Sequence, residues 1–236
     1  MATGSEARAI RVDGRDVPVE LRVSARARRF ILRVARRDGR VTLTVPQGAD
    51  PDEGMAFVRS RTDWVRRQLG RAVEARRPAI GEAIPIEGIP RRIARGPGSR
   101  IALLPAEILV PDAAASPGPA IAGFLRHLCR ERVVGHVDRL APRVGRQAGR
   151  ITLRDTRSRW GSCSAAGSLM FSWRLVMAPP EVLRYVVAHE VAHLVHMDHS
   201  RSFWNLVEQL DPDHAPRRRW LREHGASLQA WQFTDD

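Results

Sequence analysis

Val187-Ala188-His189-Glu190-Val191-Ala192-His193-Leu194-Val195-His196-Met197-Asp198-His199 carries the decisive pattern of this chain. Residues four apart on an α-helix lie about 40° from each other, so the imidazoles of His189 and His193 reach one point in space. Glu190, next to the first of them, can take a proton from water activated by a metal there. Pro179-Pro180-Glu181 opens the helix, with proline in the first turn and a carboxylate facing the positive end of the helix dipole. Leu183, Val186, Val187, Val191, Leu194 and Val195 cover most of its circumference, which predicts a buried helix. Buried imidazoles beside a buried carboxylate need partners, because unpaired polar groups are costly inside a protein. A zinc ion is one such partner. The plainer reading is a core helix whose His and Glu satisfy each other.

A hydrolytic zinc site takes three protein ligands and keeps one position open. Three residues compete for the third place. His199 lies beyond Met197-Asp198, where the helix must turn before Ser200 caps the next one, and the turn brings it back from another direction. His196 shares a face with His189 but sits about 10 Å further along the axis, too far to share a metal in a regular helix. Glu208, on the following helix, stays open below His199. Asp198 and Asp213 are candidates for orienting a ligand through its second ring nitrogen.

The chain has 236 residues, 43% of them hydrophobic, enough for a real core in one domain or two close subdomains. No run approaches the roughly 18 apolar residues of a membrane span, and residues 1–8 lack the apolar middle of a signal peptide, so a cytoplasmic address without membrane attachment is expected. Cys129 and Cys163 have no pairing pattern, and a buried structural thiol is the expectation for Cys163. The net charge is +13, and all 39 basic residues are Arg. That usage, with abundant Ala, Gly and Pro, carries the imprint of a GC-rich genome. Arg still binds phosphate, and clusters such as Arg26-Ala27-Arg28-Arg29, Arg36-Arg37 and Arg217-Arg218-Arg219 leave a weak attraction to DNA open. They are scattered, and no helix-turn-helix, zinc-finger spacing or aromatic stacking platform accompanies them.

Strands are expected over 10–12, 17–23 and 30–34, with Asp38-Gly39 turning into a further strand over 41–45. Residues 51–76 read as one long amphipathic helix. Short β pieces at 84–86, 101–104 and 108–110 lie among Pro and Gly, and 113–119 reads as a hinge. A helix over roughly 120–141 is expected behind the metal helix. After it come a strand over 151–154 and a hairpin of 160–164 with 169–176 about Ala165-Ala166-Gly167. Core packing is the first reading of Trp160 and Trp173, with substrate contact second. A helix over 216–224 and a loose tail over 226–236 close the chain.

Arg159-Trp160-Gly161-Ser162-Cys163-Ser164, Phe171-Ser172-Trp173-Arg174-Leu175, His189 to His193, and His199-Ser200-Arg201-Ser202-Phe203-Trp204 together resemble the YgjP-like metallopeptidase domain, a family related to SprT-type zinc proteases. The likeness runs from about Arg28 to Gly225. It implies one zinc ion on His189, His193 and His199, with Glu190 as the catalytic residue. It also implies an α+β fold, a zincin-like core whose active-site helix packs on a small antiparallel or mixed sheet, preceded by a β-rich N-terminal region. An exposed strand edge would then pair with an extended protein or peptide substrate. The expected division is a tail over 1–8, a β-rich region with one long helix over 9–115, the catalytic domain over 116–225 and a tail over 226–236. Asp198 stands where the family more often has Asn, and His214 where Tyr is expected. The developing oxyanion would need a donor from among His214, Arg174 and Tyr185, with Trp160 a further substrate contact. The expected reaction is peptide hydrolysis by metal-activated water with Glu190 as general base. A zinc hydrolase of a non-peptide amide and a nucleic-acid-associated zinc protein, either a DNA-linked protease or a binding module, are the alternatives.

Overall fold

The computed structural model describes residues 7–35, 38–70, 75–156 and 158–234 and divides the chain into two compact units, Met1–Ala75 and Arg76–Asp236. Expectations for 1–6, 36–37, 71–74, 157 and 235–236, among them Arg36-Arg37 and most of the tail over 1–8, lie outside the described residues. The fold is α+β, with small mixed sheets and six α-helices among the described residues. No helix of the described residues is long and apolar enough to cross a membrane.

In the first unit, β1 (Ala7–Val12), β2 (Arg15–Ser24), β3 (Ile31–Val34) and β4 (Val41–Pro46) form a sheet in the order β1-β2-β4-β3. The β3–β4 pair is the expected antiparallel hairpin, whereas β2 runs parallel to β4. Val41, Leu43 and Val45 alternate inward from β4 to meet Met55, Val58 and Val65. The single helix expected over 51–76 is two, α1 (Pro51–Ser60) and α2 (Thr62–Leu69). Ser60 and Thr62 donate their hydroxyls to the carbonyls of Phe57 and Arg59, at 2.8 and 2.7 Å, and Arg61 leaves helical geometry between them.

The second unit begins with β5 (Ala83–Ile86), β6 (Ile89–Gly96), β7 (Ala102–Leu103) and β8 (Glu107–Pro111), ordered β5-β6-β8-β7. The expected boundary at 115 groups these strands with the N-terminal region instead. Their Ile84, Ile86, Ile93, Ile108 and Val110 are fully buried in the same core as Val187 and Val191 of the histidine-bearing helix, which places them in the second unit. Next comes α3 (Pro117–Leu140), whose Ile121, Leu125, Cys129 and Val133 are buried in that core. Then β9 (Ile151–Arg154), β10 (Gly161–Cys163) and β11 (Leu169–Ser172) build a three-stranded sheet. Strand β11 is central, parallel to β9 and antiparallel to β10, so β10 is an edge.

A 3-10 turn over Trp173–Met177 leads into α4 (Pro180–Ala192). The Glu87-Gly88 turn braces this entry, donating its two amides to the carbonyls of Val176 and Met177. Only glycine suits position 88: φ is +76°, and a Cβ would meet Pro179 at 3.0 Å. Ser200 then caps α5 (Arg201–Leu210) through Phe203 N–H, and α6 (His214–Gln229) follows. Buried Asp211 joins these helices by accepting from Arg184 of α4 and pairing with Arg217 of α6.

The helix expected over 216–224 is longer at both ends, and the stretch expected as a loose tail is ordered from 226 through 233, with Leu228, Trp231 and Phe233 buried. Arg174 accounts for this, since its buried guanidinium donates to the carbonyls of Leu228 and Trp231 at 3.0 and 2.8 Å. Arg76 N–H donates to Ala230, Gln232 N–H donates back to Arg76, and the Arg76 guanidinium lies 4.6 Å from the Trp231 ring.

Candidate metal centre

Helix α4 delivers His189 and Glu190 from its last turn, and His193 closes it as C-cap. The chain then turns through 194–198, and His199 comes back beside the other two. One ligand atom from each of His189, His193 and His199 lies within 4.8 Å of the others, and Nε2 of His189 and His199 are 3.3 Å apart. Glu208 and His196 do not join this group. Phe203 is fully buried beneath all three rings, 4.4 Å from His193 and 4.8–4.9 Å from the others by ring centroids.

The donor set fits a metal. His193 Nδ1 lies 2.9 Å from the His196 carbonyl, which only accepts, so the proton is on Nδ1 and the Nε2 lone pair is left for a cation. That carbonyl does the orienting foreseen for Asp198 or Asp213. Asp198 instead accepts from Ser200 N–H, and Asp213 pairs with Arg217. Burial, reinforced by the neighbouring His193 and His199, pushes the pKa of His189 down to about 3, and burial lowers that of His193. Ring nitrogens this close share either a proton or a cation between them. Two zinc ligands at tetrahedral angles lie about 3.3 Å apart, close to the separation of His189 and His199. The buried Nδ1 of His189 has no hydrogen-bond partner in the protein among the described residues.

Glu190 is 5% exposed, and burial pushes its pKa up to about 8, with Arg159 pulling it the other way. Gly161 of β10 lies against it: a Cβ there would stand 2.5 Å from Glu190 Oε1. Cys163, on the same strand, is half-buried, and burial together with Glu190 raises its pKa. Beside His189 and Glu190 opens a cavity of about 380 Å³, with Trp160, Tyr185, Arg159, Arg218 and Arg222 in its walls. Trp160 thus lines this space while also packing on the core, whereas Trp173 is wholly core.

The candidate oxyanion donors fall in different places. Tyr185 lines the cavity, and burial raises its pKa above the ordinary phenol value. His214 stacks on Trp204 at 5.9 Å, with its Nδ1 buried. Arg174 lies elsewhere, bonded to Asp155 and to the C-terminal carbonyls. The close backing by Gly161, the orienting carbonyl of His196 and the arginines of the cavity were not foreseen. Arg218 is visible in the sequence through the Arg217-Arg218-Arg219 cluster, and Arg159 and Gly161 through the Arg159-to-Ser164 motif, but their convergence is not.

The chain belongs to the YgjP-like metallopeptidase family, whose domain matches residues 28–224. No curated protein and no solved structure matches it.

Proposed function

We propose that this protein is a zinc peptidase of the zincin-like kind, with His189, His193 and His199 holding one zinc ion and Glu190 serving as general base. The observation that carries this reading is the convergence of three imidazole donors beside a buried carboxylate at the mouth of a cavity. Zinc bound there supplies Lewis acidity, lowering the pKa of water towards about 7 and polarising a substrate carbonyl.

The chain's own groups do the rest. Glu190 takes the proton from the attacking water and passes it to the departing amine nitrogen. Burial raises its pKa and a neighbouring cation lowers it, so both protonation states lie within reach near neutral pH. The His196 carbonyl holds His193 in one tautomer, and the Phe203 floor fixes the three rings. Among the described residues strand β10 has a partner strand on one side only, which suits backbone pairing with an extended protein or peptide chain.

The test is metal analysis together with digestion of a denatured protein. Wild type should hold one zinc and digest, Glu190→Gln should hold zinc and not digest, and His193→Ala should lose both. Full digestion by purified Glu190→Gln overturns the assignment of the base.

A further inference from the structure

The cavity beside His189 and Glu190 carries an unusual charge distribution. Arg159 arrives from the segment before β10, and Arg218 and Arg222 arrive from successive turns of α6. Glu190 is the one carboxylate among the residues that line it. Among the described residues neither Arg159 nor Arg218 forms an ion pair with an aspartate or glutamate; Arg218 instead lies over the Trp204 ring at 4.6 Å. Trp160 and Leu221 supply apolar wall, and the three arginines stand exposed at its rim, so a ligand there meets cations beside an apolar surface.

Resting on the peptidase reading above, we infer that this cavity selects substrates with a carboxylate within about one residue of the scissile bond. Its arginines receive either an acidic side chain or a free C-terminal carboxylate. Guanidinium groups match carboxylates with paired N–H donors, and their charge does not titrate. The cavity adjoins the residues assigned to the chemistry, so whatever it holds flanks the bond being cut.

Binding tests this separately from turnover. The full-length, zinc-loaded chain carrying Glu190→Gln is titrated into three fluorescein-labelled peptides followed by anisotropy. One is amidated with a central Glu, the second has Gln there, and the third is the Gln peptide truncated to end in a free carboxylate near the same position. The Glu peptide, the truncated peptide or both should bind about tenfold tighter than the amidated Gln peptide, the size expected of charge-assisted contacts that keep part of their solvent. Which of them does so tells side chain from terminus. Arg218→Gln and Arg159→Gln, each added to this background, should reduce the preference severalfold, read as the ratio of the Kd of the amidated Gln peptide to that of the carboxylate-bearing peptide.

Equal affinity for all three peptides, or a preference that survives both substitutions, overturns the inference. So does a duplex oligonucleotide that displaces the peptides at physiological salt, since the arginines would then be phosphate contacts. Digestion by wild type without any carboxylate preference would leave the peptidase standing and remove the pocket assignment. A preference without digestion would do the reverse.

Discussion

Replacing Gly161 with alanine isolates the contact between strand β10 and the buried carboxylate. The backbone there accepts alanine, because no left-handed φ is involved, so the perturbation is steric. The new methyl carbon would lie 2.5, 2.6 and 2.7 Å from Oε1, Cγ and Cδ of Glu190, against an ordinary contact of 3.4–4 Å. Relief requires the carboxylate or the strand to move by about 1 Å, a displacement that costs about 10²-fold in rate when a reacting group is misplaced. Forcing a methyl into a filled site also costs about 1–3 kcal/mol of stability. Metal content should hold, because the three imidazoles lie on other segments. Digestion rate, bound metal and urea midpoint measured on Gly161→Ala, with Glu190→Gln as the inactive reference, read the three effects apart. An alanine variant as active and as stable as wild type refutes the close backing of Glu190.

Three further outcomes are expected. A chelator should lower Tm by roughly 5–10 °C, reversed by zinc, since metal at about 100 times its Kd stabilises the folded state by about 2.7 kcal/mol; an unchanged Tm would speak against a bound metal. Asp211→Ala should cost about 1–3 kcal/mol in urea unfolding, because it removes the buried acceptor shared by Arg184 and Arg217, of which Arg184 is 40% exposed and Arg217 keeps Asp213. His136 is pushed down to about 4 by burial and by Arg139, Arg184 and Arg132, from 6.5 when unfolded. Above pH 6.5 it is neutral in both states, and as pH falls towards 4 the unfolded chain takes the proton first, so stability is lost over that window. After allowance for partial exposure, His136→Gln should lose about 1 kcal/mol less than wild type between pH 7 and pH 5 in urea titrations, and parallel curves would contradict the shift.

Much of the centre was legible because it obeys short-range rules. The spacing of His189 and His193 is helical arithmetic, the return of His199 follows from Ser200 starting a new helix, and the β10–β11 turn is written in Ala165-Ala166-Gly167. What escaped was set by distant partners. No local pattern announces that 76–111 packs with residues a hundred positions later, or that Arg174 holds the carbonyls of Leu228 and Trp231. The break at Arg61 is an intermediate case: its hydroxyl-bearing neighbours were visible, but the helical periodicity around them was louder. The contact of Gly161 with Glu190 joins a strand edge to a helix, a relation that sequence spacing does not encode.

The pairing of Arg76 with residues 230–232 has a mechanical consequence. The two ends of the histidine-bearing unit meet at one seam, so its backbone runs almost as a closed ring. Peeling from Arg76 meets these two hydrogen bonds and the indole stack at once, and peeling from the other end meets them as soon as Phe233 has left Trp173, so loosening one end loosens the other. Stitching that seam with a short linker and reopening the ring at the Gly98 turn would renumber the unit without changing its neighbours in space.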